Sequence, residues 1–190
     1  MPKVWRIVDL IQWSESYFRG KSHQNPRLEI EWMLCSLLNC ERLDLYMRFD
    51  EPLSGSQLST LRGWVKRRSK NEPLQYITES CEFYGIEFFV DKRVLIPRPE
   101  TERLIDEAIK SIKHVRSPNI FDIGTGSGCI AIALAKEIEN SNVIGIDKSI
   151  MSLQVAKKNS AELNVENVTF LEMDIFCLLY TSPSPRDMSA

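Results

Sequence analysis

The run Asp122-Ile-Gly124-Thr125-Gly126-Ser127-Gly128 places a glycine at every second position behind an acid. Glycine lacks a Cβ and enters positive φ freely, so such a loop can bring backbone close to a ligand and turn sharply into a helix. The helix that starts behind it offers unpaired N–H groups. Spacing narrows the ligand. A dinucleotide fingerprint needs a glycine where Cys129 stands, and a phosphate-cradling loop needs GxxxxGK[ST], whose lysine is absent. Asp147 ends the next apolar run, where an acid can accept hydrogen bonds from two ribose hydroxyls. Asp174 closes a third such run.

Other chemistry is sparse. The five cysteines, at 35, 40, 81, 129 and 177, form no CxxC pair, and His23 and His114 stand apart from them. No zinc spacing can be built, no metal is expected, and a disulfide framework is not supported. Cys129 reads as small core packing, since an apolar helix follows it. The run Lys66-Arg67-Arg68, with Arg62 and Lys70, reads as a solvated helix end where cations suit the dipole, with nucleic-acid contact as the competing reading.

The elements that would hold these residues follow from periodicity. Val4, Trp5, Val8, Leu10 and Ile11 recur at helical spacing, as do Leu28, Ile30, Met33, Leu34, Leu37 and Leu38 after Asn25-Pro26. A third helix over residues 56–70 carries Leu58, Leu61, Trp64 and Val65 on one side. Residues 1–72 thus form a helical domain. Residues 73–97 turn aromatic and β-branched, with Gly85 between the runs, and predict a β-hairpin linker that takes in Tyr76-Ile77. Pro97, Arg98, Pro99 and Glu100 then stop the strand and start a helix with Leu104, Ile105, Ala108, Ile109 and Ile112 inward. From Asn119 onward, residues 119–123, 142–147 and 168–171 predict strands, the first of them buried. Helices over residues 129–138 and 149–163 alternate with them, the second capped by Ser149 and burying Leu153, Ala156 and Ala161. This alternation predicts an α/β, doubly wound parallel sheet over residues 98–176.

The loop D-x-G-x-G-x-G resembles that of class I S-adenosylmethionine-dependent methyltransferases. The resemblance widens with Glu72-Pro73-Leu74-Gln75-Tyr76-Ile77, Phe83-Tyr84-Gly85 and Leu95-Ile96-Pro97-Arg98-Pro99-Glu100-Thr101-Glu102. Together these are similar to the HemK/PrmC family of protein N5-glutamine methyltransferases, which act on peptide chain release factors. The similarity covers residues 1–176. It implies a Rossmann-like class I domain, incomplete here, behind an N-terminal helical bundle for substrate recognition. It implies S-adenosyl-L-methionine held by Gly124, Thr125, Gly126, Ser127, Gly128 and Asp147, with Asp174, Ile175 and Phe176 along the adenine. Ile175 stands where family members often carry Trp. Pro97, Arg98 and Glu100 would border the methyl-transfer pocket. The family's catalytic Asn-Pro-Pro-Tyr occurs nowhere in the 190 residues, so no catalytic residue is assigned and the chain itself is expected to bind cofactor poorly and transfer no methyl group. Without the family's fourth strand, the edge at Phe121 would be unpaired and apolar, an aggregation risk.

Composition sets the outer bounds. Hydrophobic residues make up 43% and charged residues 26%, which fits a globular chain and not a disordered or collagen-like one. The formal charge of −2 supplies no bulk field for nucleic acid or an anionic membrane. No apolar run reaches the ~18 residues of a membrane span, and the N-terminus has neither a secretory nor a mitochondrial pattern, so a cytoplasmic monomer is expected. Residues 177–187 (CLLYTSPSPRD) read as an in-frame translation of a transposase-type sequencing adapter, and residues 177–190 as an artefactual tail. Two other substrates stay open within the enzyme reading: a ribosomal-protein glutamine, or an adenine amino group in nucleic acid. A non-enzymatic binding module built on residues 1–72 is the third class.

Overall fold

The computed structural model describes residues 4–19 and 25–175. Phe176 and the adapter-like segment lie outside them. The chain divides into two compact units, Met1–Thr78 and Glu79–Ala190.

The first unit is helical. Helix α1 (Ile7–Phe18) starts where the Asp9 carboxylate accepts the Arg6 backbone N–H at 3.1 Å, and it buries Ile7, Leu10, Ile11, Ser14 and Phe18 at helical spacing. Helix α2 (Pro26–Leu38) has proline in its first turn and ends at Asn39 in the left-handed region. Helix α3 (Arg42–Met47) follows, and α4 (Gly55–Arg68) is opened by a reciprocal Ser54/Gln57 cap. Ile7, Phe18, Ile30, Met33, Leu34, Leu45 and Leu61 meet in one apolar core. A buried carboxylate sits beside it. Glu31, 1% exposed, accepts from Arg27 Nε at 2.9 Å, Arg42 Nε at 2.6 Å and the Tyr46 hydroxyl at 2.8 Å. Burial pushes this carboxyl up, but the three donors outweigh it and hold it below the ordinary carboxylate range. On α1, Trp13 stacks on Tyr17 with ring centroids 4.7 Å apart, and Trp5 meets Trp13 edge-on.

Residues 74–78, expected to be extended, are instead helical: α5 (Leu74–Thr78) forms because the Tyr76 and Ile77 amides both donate to the Pro73 carbonyl. The basic end of α4 is folded inward. Arg67 makes two bonds of 2.9 Å to Glu72 and one of 2.8 Å to the Tyr76 carbonyl. Arg68 clasps Glu29 at 2.7 and 2.8 Å and also reaches the Glu72 carbonyl.

The second unit opens with an antiparallel hairpin, β1 (Ser80–Phe83) and β2 (Ile86–Phe89). Tyr84 and Gly85, both at positive φ, make the two-residue turn that matches strand twist. A 3-10 turn at Pro99–Thr101 leads into α6 (Glu102–Ile112). Ile105 is fully buried there, with Ala108 and Ile109 packed beside it, but Leu104 is 56% exposed because it lies one position off that face.

Then come β3 (Asn119–Ile123), α7 (Cys129–Glu137), β4 (Asn142–Asp147), α8 (Ile150–Glu162) and β5 (Val168–Glu172). The sheet is parallel in the order β3-β4-β5. Gly145 makes its packing possible: a Cβ there would stand 2.6 Å from the Phe170 ring. Two expectations are corrected. Strand β3 is not buried, since Phe121 and Ile123 on one face are 60% and 55% exposed, and among the described residues it pairs with β4 alone. Ala161 is exposed, because the buried face of α8 runs through Ser152, Leu153, Val155, Ala156 and Asn159.

Candidate functional site

Parallel strands with helical crossovers gather their carboxyl ends along one edge of the sheet, where ligands of such folds bind. A cleft of about 200 Å³ lies there, lined by Ile123, Gly124, Ile146, Asp147, Lys148, Met173, Asp174 and Ile175. Four of the residues singled out by the sequence, Gly124, Asp147, Asp174 and Ile175, meet in this lining.

The loop is fixed from behind. Gly124, Gly126 and Gly128 all take positive φ. The Gly124 and Thr125 amides donate to the Ile146 carbonyl at 2.7 and 2.9 Å, and the Gly128 amide donates to the Thr125 carbonyl at 2.8 Å. Asp147 ties loop and strand together. Its Oδ2 accepts the Gly126 N–H at 3.0 Å, and its Oδ1 accepts the Ser149 N–H at 2.9 Å. Both oxygens keep a lone pair for a further donor, so the same carboxylate can receive two neighbouring hydroxyls.

Thr125 and Ser127 sit differently from Gly124. Both are buried, and neither lines the cleft. The Thr125 hydroxyl donates to Asp122 Oδ2 at 2.7 Å, and the Ser127 carbonyl accepts from Asn159 Nδ2 at 2.9 Å. The Thr125 side chain and the Ser127 backbone hold the loop's shape. Burial pushes the Asp122 carboxyl up, more than the Thr125 bond lowers it. Burial also raises the Cys129 thiol to about 11, so it stays protonated at neutral pH, as a packing residue would.

Pro97, Arg98 and Glu100 form a separate stretch. Arg98 and Glu100 are exposed, Pro97 is half-buried, and the Thr101 amide closes the turn onto the Arg98 carbonyl at 2.9 Å. They are not part of the cleft lining. Among the described residues no cluster of His, Cys, Asp and Glu could hold a metal ion, and no helix is long and apolar enough to cross a membrane.

Fit to an adenosyl group can be read from the walls. A Cβ at Gly124 would meet nothing within 4 Å, which leaves open space over the loop. Two carboxylates offer acceptors, and Ile123, Ile146, Met173 and Ile175 offer apolar surface for a base. Sequence reasoning missed Asn159. The signal was present, since it is a polar residue at a buried position of the α8 repeat.

A parallel sheet, a glycine loop between β3 and α7, and an acid closing β4 define a class I S-adenosylmethionine-dependent methyltransferase domain. The PrmC N-terminal domain family matches residues 9–78, and a methyltransferase domain family matches residues 114–187. The chain is 42% identical to the release factor glutamine methyltransferase of Geobacter sulfurreducens, across 92% of this chain and 61% of that one. It is 40% identical to the proteins of the same name from Rhodopirellula baltica and Chlorobaculum tepidum, across 90% of this chain and 60% of each. The chain thus carries a PrmC N-terminal domain followed by a methyltransferase domain, and it spans about three fifths of the length of these curated relatives.

Proposed function

We propose that this chain supplies the helical unit and the cofactor-binding half of a protein-glutamine N5-methyltransferase that modifies peptide chain release factors at the glutamine of their Gly-Gly-Gln motif. The observation that carries this reading is continuous similarity, through both units, to proteins named release factor glutamine methyltransferase. S-adenosylmethionine, when bound, supplies a methyl group on a sulfonium. Asp147 would accept the two ribose hydroxyls, Asp174 the adenine amino group, and Ile175 would lie along the base. Gly124 leaves the room that backbone needs beside the ligand. The Pro97–Glu100 stretch would face the protein substrate.

A glutamine amide is a weak nucleophile because its lone pair is delocalised into the carbonyl. Catalysis of its methylation therefore rests on positioning the nitrogen against the methyl carbon. The residues that do this in the family, Asn-Pro-Pro-Tyr, are absent from the sequence of 190 residues. The chain is accordingly expected to bind cofactor poorly and to transfer no methyl group.

Calorimetric titration with S-adenosylhomocysteine tests the cofactor reading. Binding by the wild type, weakened roughly tenfold or more in Asp147→Ala, is the expected result, since charge-assisted hydrogen bonds contribute about 1.5–3 kcal/mol. Equal affinity in the two would remove Asp147 from the site. Binding of a purified release factor, compared with a ribosomal protein and with an RNA oligonucleotide, tests the substrate. Preference for either of the latter two would replace the release-factor reading.

A further inference from the structure

Asn159 lies in the middle of the buried face of α8 and is 1% exposed. Its Oδ1 accepts the Phe89 N–H at 2.8 Å, and its Nδ2 donates to the Phe89 carbonyl at 3.0 Å and to the Ser127 carbonyl at 2.9 Å. The amide can point only one way, because reversing it would set its oxygen against two carbonyls and its N–H groups against an amide donor. Phe89 ends β2, whereas Ser127 belongs to the glycine loop. One side chain thus grips two backbone segments that are remote in sequence, and one of them is the loop proposed to hold the cofactor.

Neighbouring contacts reinforce both ends of this grip. The Ser152 hydroxyl donates to the Arg93 carbonyl at 3.1 Å, Arg93 reaches Gln154 at 3.3 Å, and the Lys158 ammonium sits over the Phe89 ring. On the loop side, a Cβ at Gly128 would meet Ala156 at 3.0 Å, so the residue after Ser127 also rests against α8. A leucine of similar size would fill the space at position 159 but leave three backbone groups without partners.

We propose that Asn159 is a positioning residue that couples the hairpin to the cofactor loop, so that a ligand ordering residues 124–128 also orders residues 86–90. The coupling itself stands on the hydrogen bonds above. Its extension to S-adenosylmethionine rests on the function proposed for this site.

Asn159→Asp is the sharpest variant. It is isosteric and keeps the acceptor for Phe89 N–H, but at neutral pH it loses both donors and faces two carbonyls with a carboxylate. Amide hydrogen exchange of the ligand-free 190-residue chain is the first readout. Exchange of residues 86–90 and of residues 126–129 is expected to rise together, at least tenfold, while residues 30–34 in the helical unit stay unchanged. A rise in the hairpin with no change in the loop overturns the proposal.

The second readout is S-adenosylhomocysteine affinity. It is expected to fall about tenfold in the variant, and the gap to wild type should close as pH drops and the new carboxyl regains an O–H donor. A role in filling space alone predicts no such pH profile, and a gap constant with pH overturns the proposal. Should the wild type bind no S-adenosylhomocysteine, the cofactor reading fails while the ligand-free exchange still decides the coupling. If Asn159→Asp does not fold, Asn159→Ser is read by the same exchange, with the same joint rise required.

Discussion

Gly124 and Gly128 share a left-handed backbone and differ in what surrounds them. At Gly124 a Cβ would meet nothing within 4 Å, whereas at Gly128 it would press on Ala156, Phe170 and Ile132 at 3.0–3.2 Å. Gly124→Ala should therefore cost only backbone strain, about 1–2 kcal/mol, while narrowing the cleft. Gly128→Ala adds overpacking of about 1–3 kcal/mol to the same strain. Urea unfolding and S-adenosylhomocysteine titration together separate the two. The first variant should lose affinity out of proportion to stability, and the second should lose mainly stability. Asp122 gives a pH test. Its folded-state carboxyl is raised, so the native protein holds a proton that the unfolded chain has already released. The resulting penalty grows as pH rises through the interval above the ordinary Asp value of about 3.9, and is complete above the folded value. Asp122→Asn keeps an acceptor for Thr125 without that penalty. Its unfolding free energy, relative to wild type, should improve between pH 4 and pH 8, and a pH-independent difference would contradict the burial argument.

The end of α4 shows what a cluster of cations can be for. Arg67 and Arg68 are engaged with Glu72, Glu29 and two backbone carbonyls. Arg68→Ala should destabilise the helical unit by about 1 kcal/mol in thermal unfolding, because the Glu29 pair is only partly exposed, and it should leave binding of an RNA oligonucleotide unchanged. A loss of RNA binding would restore the nucleic-acid reading. The competing uses of this run could not be separated from sequence, because Glu29 and Arg68 lie far apart in the chain. Elements with long periodic faces were readable: α2, α4, α7 and α8 fall where apolar spacing places them, α1 does so from Ile7 onward but leaves Val4 and Trp5 outside the helix, and β4 falls on residues 142–147 as expected. Short elements were not. Helix α3 has six residues, too few for a repeat, and is set by the Glu41/Asp44 cap; α5 is nucleated by Pro73 against the β preference of Tyr76 and Ile77. In the cleft, Gly124 and Asp147 followed from spacing. The inward roles of Thr125, Ser127 and Asn159 depend on which neighbours the fold supplies, and one-dimensional spacing carries no such information.

Charge is divided unevenly over the chain. Residues 1–78 hold twelve Lys and Arg against nine Asp and Glu, and residues 79–190 hold twelve against seventeen, so the net value of −2 conceals a basic unit and an acidic one. The aromatic residues are divided too. All four tryptophans, Trp5, Trp13, Trp32 and Trp64, belong to the helical unit, and the unit that carries the cleft has none. Indole emission on unfolding is therefore a beacon for the first unit alone, while far-UV ellipticity reports on both. Addition of S-adenosylhomocysteine at about 100 times its Kd should stabilise the second unit by about 2.7 kcal/mol and move the ellipticity transition in urea. The emission transition should stay where it was. Movement of both together would show that the two units melt as one cooperative body. The protein thus carries a built-in optical label on one half, and the stability of the other can be followed against it without attaching a dye.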